Sequence, residues 1–529
     1  MLRFLTFLIV LLTVGTFSVS AEREDSIPDW GVEEAGHIDS FFTKPVVTPV
    51  APDSIDVERL RHKAFWRAAA EVVGFNLGLW AYDRFIEKGE YAYISWNSIK
   101  ENFRHGFEWD NDYLGTNMFA HPYSGSLYYN AGRSNGFNYW QSSLFAIGGS
   151  AMWEMFMEKE YPSTNDIIAT PIGGAALGEV LYRTSDLVID DRSTGGERFG
   201  RELACFVISP MRGFTRIVTG RAWQHRATSG RRFGIPPARI SFYLGPRLLL
   251  FHNEANYSEV GLTARVNIDY GEKYEEKTNQ PYDYFNFLLD LDVMKSQPLL
   301  SRVEIQGRLL SREYINRENA NLTLGLYQHF DYFDSDTISH QIPSNPLPES
   351  MVPYKFGTPA SLGAGLLGRY TYGNIWEFEG YAHVNAVILG GILSDFYHNY
   401  NRNYNWGSGF SLKGGLRFSL PKRSFTTGAN VRFYRLYTLK GYALDPEEHP
   451  MFSQANVQGD RSNASFLNLS ANINFRLKGD LWLSAIVDWY RRYSHYPDLK
   501  IQYMPEYYMG SPILTSNQVG LKILLCYLL

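Results

Sequence analysis

The sequence predicts an α+β protein: a helical N-terminal region facing the periplasm, then a C-terminal antiparallel transmembrane β-barrel of about twelve strands. Three observations predict it. The chain opens with an apolar leader of the export type. From about residue 239 the hydrophobic period becomes two. The strand-like segments that follow are joined by tight turns alternating with long polar loops.

In the leader, Arg3 supplies a short positive start and Phe4 to Phe17 a mostly apolar core. Val19-Ser20-Ala21 places small residues at a cleavage position, so cleavage after Ala21 is expected. The apolar run is short for a spanning helix. No cysteine follows it, so a lipoprotein is not expected. Residues 22–56 carry four prolines and scattered acids and read as an extended linker. The helical domain is expected over 57–235 and the barrel over 236–529.

Composition agrees with a barrel. Charged residues make up 20% and aromatics 16% of the chain, and mean hydropathy is −0.26. A helical membrane protein would be more apolar, whereas only alternate residues of a barrel strand face lipid. Abundant Tyr and Trp suit the two membrane interfaces. A net charge of −5 gives no basis for a nucleic-acid partner. Cys205 and Cys526 are the only cysteines, which argues against a disulfide framework or a Cys-based zinc site. No cofactor is expected.

The alternation is explicit in several segments. Leu467, Leu469, Ala471, Ile473, Phe475 and Leu477 interleave with Asn468, Ser470, Asn472, Asn474, Arg476 and Lys478. Strands are expected near 239–251, 257–270, 283–296, 301–313, 321–334, 361–373, 376–390, 408–420, 424–439, 463–478, 481–495 and 517–529. Gly373-Asn374, Pro421-Lys422-Arg423 and Gly479-Asp480 read as tight turns. Long loops are expected at 335–360, 391–407, 440–462 and 496–516. An even strand number puts both barrel ends in the periplasm. The last strand sets Leu521, Ile523, Leu525, Tyr527 and Leu529 on one face. It is similar to the terminal signal read by the barrel-insertion machinery, with Leu in place of the usual final Phe.

Charged residues out of phase with the apolar face should point into the lumen, because lipid excludes them. These are Arg265, Asp269, Asp290, Asp292, Glu304, Arg308, Arg312, Glu377, Glu379, His383, Lys413, Arg417, Arg432, Arg476, Asp488 and Lys522. They either line a solute path or pair across a closed lumen. The sequence leaves both open.

Upstream, helices are expected within 57–90, 94–107, 121–131, 137–158 and 166–188. Gly148-Gly149-Ser150-Ala151 and Gly173-Gly174-Ala175-Ala176, with Gly178, would let helix backbones approach closely. A compact periplasmic domain is expected, with partial insertion into the lumen as the alternative. Two motifs stand out: Asn117-Met118-Phe119-Ala120-His121-Pro122-Tyr123-Ser124-Gly125, and Glu160 to Asp166 running into Thr170-Pro171-Ile172-Gly173-Gly174. On a helix, His121, Ser124, Gly125, Tyr128 and Tyr129 share a face. Ser163 or Asn165 can cap the next helix.

Residues from about Lys63 to Asp191 resemble an uncharacterised domain-of-unknown-function family of Gram-negative envelope proteins with a C-terminal barrel. The His-Pro-x-x-Gly and Asn-Asp-x-x-x-Thr-Pro-x-Gly-Gly segments carry the resemblance. It covers about a quarter of the chain and implies location and architecture, not an activity. The order of polar landmarks is also loosely similar to VanZ-like helical modules, although Asn117 stands where those tend to have Asp.

His121, Ser124, Glu154, Asp166 and Glu179 are the candidate chemical residues. A Ser–His pair with a carboxylate could acylate and hydrolyse lipid or peptide. The same His and acids could hold a metal. Alternatively they are buried polar groups bonded between close-packed helices. His121, Glu154 and Asp166 are expected to lie together, because each interrupts an apolar or small-residue face. No G-x-S-x-G elbow or H-E-x-x-H pair is present. The expected function is an outer-membrane barrel for solute transport or envelope organisation. The alternative is an envelope-lipid-modifying enzyme at the periplasmic leaflet. Expected partners are outer-membrane lipid and the insertion machinery. The ligand is open.

Overall fold

A computed structural model describes residues 63–529 apart from 235, 253–255, 275–279, 341–348, 374, 400, 421–423, 443–455 and 498–512. The expected leader and linker lie outside the described residues.

Seven α-helices come first: α1 (Phe65–Tyr82), α2 (Trp96–His105), α3 (His121–Ser134), α4 (Tyr139–Phe156), α5 (Asp166–Asp186), α6 (Gly195–Ile208) and α7 (Pro210–Val218). Two are started by side chains that satisfy the free N–H groups of a first turn. Ser95 and Ser98 form a capping box at α2, and Asn138 and Gln141 form one at α4. The expected cap on α5 is absent: Asn165 donates instead to Asn117 and Asp166. No helix is expected from the sequence over residues 189–235, yet α6 and α7 form there. They are short and amphipathic, with buried Arg198, Arg212 and Arg216 on the inner face.

All twelve expected strands form, and they close into one antiparallel barrel. They are β1 (Ala238–His252), β2 (Asn256–Tyr270), β3 (Phe285–Val293), β4 (Leu300–Arg317), β5 (Ala320–Asp334), β6 (Lys355–Tyr372), β7 (Trp376–Leu393), β8 (Tyr404–Leu420), β9 (Phe425–Tyr437), β10 (Asn463–Lys478), β11 (Leu481–His495) and β12 (Ile513–Leu528). Closure comes from β12, which pairs with both β11 and β1. Gly373 and Gly479 hold positive φ in their turns, as a tight reversal requires. β6, β8 and β12 start earlier than expected, because Phe356, Trp406 and Leu514 at the loop end still pair with neighbouring strands.

One alternation fails. A bulge between Arg308 and Leu310 adds a residue to β4, so Arg312 pairs with outward-facing Leu324. Arg312 is therefore exposed on the outer side and does not point into the lumen.

α3 and α5 occupy neither the lumen nor the space beyond one barrel end. They stand against the outer wall. Residues paired across strands share a face, so the register identifies which side each helix touches. Glu304 and Asp331 form one lumen-facing pair, while Val303 with Tyr332 and Ile305 with Phe330 face outward. These outward residues are buried, and they join one core with Met118, Leu127, Tyr129, Ala175 and Leu177 of the helical region. Phe330 lies beside Gly173, and outward Gly357 and Gly391 lie beside Met118. Gln328 ties the two parts together by accepting from the Tyr139 hydroxyl and donating to the Ile172 carbonyl.

α5 runs along the wall. Near its first turn Asn117 bonds Tyr404 at the loop end of β8; near its last, Arg183 donates to Pro281 in the β2–β3 connection. α3 lies parallel to α5 with glycine contacts between their backbones. The outer faces of α1 and α4 leave Phe65, Trp66, Leu77, Trp140, Leu144 and Ile147 exposed. No helix among the described residues is long and apolar enough to cross a membrane.

Candidate functional site

The loop entering α3 brings Asp110 and Asp112 to the N-terminal ends of α3 and α5. His121 is the first residue of α3 and Asp166 the first of α5. His121 Nε2 lies 3.8 Å from an Asp166 carboxylate oxygen and 4.0 Å from one of Asp112. Asp110, His121 and Asp166 each offer a donor atom, all within 4.8 Å of one another. The Asp166 side chain is 4% exposed and that of His121 22%, so the site opens on the histidine side.

Amide side chains frame it. Asn117 Nδ2 donates to Asp110 at 2.5 Å, and Asn165 Nδ2 to Asp166 at 3.0 Å. The Asp110 N–H donates to Asn165 Oδ1 at 3.1 Å. Barrel residues hold the loop: Arg402 donates to the Asp110 carbonyl at 2.7 Å and Tyr404 to that of Asp112 at 3.2 Å. Burial, then the neighbouring charges of Asp110 and Glu160, push the Asp112 carboxyl up to about 7, although its side chain is half-exposed.

The expected trio is partly direct. His121 and Asp166 adjoin, whereas Glu154 binds the Ser163 N–H at 2.7 Å and reaches the other acids only through space. Ser124 makes no hydrogen bond to His121 among the described residues. Glu179 stands further along α5, where it accepts from Arg133, Arg183 and Tyr129, all buried. It closes an ion-pair network in which each formal charge has a partner. Asp110 and Asp112 escape a reading of the sequence because their loop has no periodicity. The Asp-Asn-Asp triplet ahead of Asn117 is the available signal.

In the lumen, charges pair both between neighbouring strands and between strands that are not neighbours. Lys413 of β8 binds Asp331 of β5 at 2.6 Å. Lys522 of β12 binds Asp290 of β3 at 2.9 Å, and Arg265 binds the same acid at 2.6 Å. Arg302 reaches Asp488 at 3.5 Å, Arg432 binds Glu304, and Arg247 binds Asp292. His383 contacts Gln306 at 2.9 Å, and Arg308 binds Asp283 at 2.7 Å. Toward the loop end Phe333, Tyr354, Phe356, Tyr434, Phe466 and Tyr490 pack into an aromatic layer. Toward the turn end a cavity of about 490 Å³ remains, lined by Glu377, Arg417 and Arg476 among others. Glu379 sits at its edge, 3.5 Å from Arg417 and 3.6 Å from Lys273. Arg302 and Asp331 are legible two residues along the same face from Glu304 and Phe333, once the period is extended to them.

Comparison with known proteins adds a family match over part of the chain. Solved structures similar to this chain include the Pseudomonas putida toluene transporter TodX, at 8% identity, covering 56% of this chain and 91% of that one, with a TM-score of 0.22. The anion-selective porin from Comamonas acidovorans has 10% identity, coverage of 55% and 99%, and a TM-score of 0.21. OmpT from Vibrio cholerae has 6% identity, coverage of 55% and 99%, and a TM-score of 0.22. Values this low say nothing about cargo. No curated protein sequence matches the chain. Nothing in these matches supports the looser likeness to VanZ-like modules. Residues 106–211, from the loop before Asp110 into the start of α7, match the DUF3943 family, a domain of unknown function, and they pack against the wall of a closed twelve-stranded barrel.

Proposed function

We propose that this protein organises the envelope through its helical region, with the barrel serving as a membrane anchor whose lumen is closed at rest. The supporting observation is the double obstruction among the described lumen residues. Cross-barrel ion pairs tie Lys413 to Asp331 and Lys522 to Asp290, and an aromatic layer lies above them. A diffusive pore needs a continuous wet path. Here opposite charges neutralise each other, and breaking one such pair leaves a buried charge.

The proposed placement is lateral. With both barrel ends in the periplasm, α1 begins at the periplasmic end, where the Ala64 N–H bonds Asn135. The bundle then flanks the wall, its exposed aromatic and aliphatic side chains facing outer-membrane lipid. Only α6 and α7 lie toward the periplasm, and the Asp110–His121–Asp166 cluster stands at the loop end. This favours a module that meets lipid or a membrane neighbour sideways. A Ser–His lipid hydrolase is less well supported, because Ser124 is not bonded to His121.

Single-channel recording on purified protein in planar bilayers tests the reading. The wild type should give no steady conductance. Stable porin-like openings would contradict it.

A further inference from the structure

We propose that Asp110, His121 and Asp166 form a binding site for one divalent transition-metal ion, Zn²⁺ or Mn²⁺, with Asp112 as a fourth donor. The three donor atoms come from three separate elements, the loop, α3 and α5, and meet within 4.8 Å of one another. Binding distances of about 2.0–2.2 Å require them to draw in by about an ångström. His121 and Asp112 are the accessible members and can make that movement.

Charge supports the assignment. Two carboxylates held close together repel, and a cation between them relieves that repulsion. Elsewhere in this protein that cation is a side chain: Glu179 has Arg133 and Arg183, and Asp331 has Lys413. Among the described residues no Lys or Arg forms an ion pair with Asp110 or Asp166, and the ionic neighbour of Asp166 is His121, 3.8 Å away. Arg402 approaches but spends its Nη1 on the Asp110 backbone carbonyl. Asn117 and Asn165 each bind one oxygen of an acid, which orients the carboxylates as outer partners orient metal ligands. One imidazole with carboxylates suits Zn²⁺ or Mn²⁺ better than the all-oxygen shell of Ca²⁺.

The site does not depend on the state of the lumen, so a conducting barrel would leave it standing. The test uses full-length protein in detergent, stripped with chelator and titrated calorimetrically with ZnCl₂, then MnCl₂. One saturable equivalent per chain is expected for at least one of the two metals. Asp166→Asn and His121→Gln should each weaken it at least tenfold. Glu179→Gln, outside the site, keeps the stoichiometry if it folds. Heat-modifiable migration reports folding of each variant. No saturable binding of either metal by folded wild type overturns the proposal. So does binding unchanged in folded Asp166→Asn, and if neither site variant folds, a wild-type stoichiometry other than one does the same.

Discussion

Gly125 of α3 and Thr170 of α5 meet backbone to backbone: a Cβ on Gly125 would stand 2.0 Å from the Thr170 carbonyl oxygen. The contact repeats one turn on, where a Cβ on Gly174 would lie 2.5 Å from the Gly125 carbonyl carbon. Gly125→Ala should therefore push the helices apart and destabilise the helical region by about 1–3 kcal/mol. Gly148, where an added methyl would meet nothing within 4 Å, is the control. Gly148→Ala should be neutral or stabilise by up to about 1 kcal/mol. Protease resistance of residues 63–234 reads both, and equal loss at the two sites would refute the close packing.

The lumen ties predict a buried-pair signature. Lys413→Met strands Asp331 and should cost about 3–5 kcal/mol. Adding Asp331→Leu should recover most of that loss. Denaturant midpoints for loss of heat-modifiable migration give the two values. A double variant as unstable as the single one would mean that the pair does not close the lumen.

Face assignment in β10 is testable by contrast. Ile473 faces outward and is 44% exposed, while Asn472 lines the inner cavity. Ile473→Arg should destabilise by about 2–4 kcal/mol near the membrane midplane, and Asn472→Arg should be mild. Equivalent midpoints would reverse or abolish the assignment.

Closure rests on β12. Deleting Gln518 to Leu529 removes most of its pairing with β1 and β11. The truncated chain should fail to insert, because open edges cannot be left unpaired in lipid. Normal assembly would contradict the observed closure.

The barrel is legible because period two states directly which side chains meet lipid. Each of the twelve segments carries that pattern in its own residues. The sequence cannot show a bulge, so simple alternation puts Arg312 on the wrong face. It also cannot show which apolar surface a helix covers. Phe330 and Tyr332 look like any lipid-facing residues, and only the structure shows Gly173 and Gly115 against them. His121 and Asp166 are recognisable as polar interruptions of helical faces. Their partners Asp110 and Asp112 are hidden in a loop positioned by tertiary contacts, among them those with Asn165, Arg402 and Tyr404.

The helical region docks on the outer wall through Met118, which packs against Gly357, and a cross-link between these two positions tests that docking. The Met118 Cβ lies 2.9 Å from where a Cβ on Gly357 would be, close enough for a disulfide after a small shift. Met118→Cys with Gly357→Cys, in a background with Cys205→Ala and Cys526→Ala, should cross-link on mild oxidation of the folded, membrane-inserted protein. The link should join the two fragments left by cleavage between the helical region and the barrel. Folded protein in which those cysteines stay reduced and the fragments separate would contradict docking on the wall.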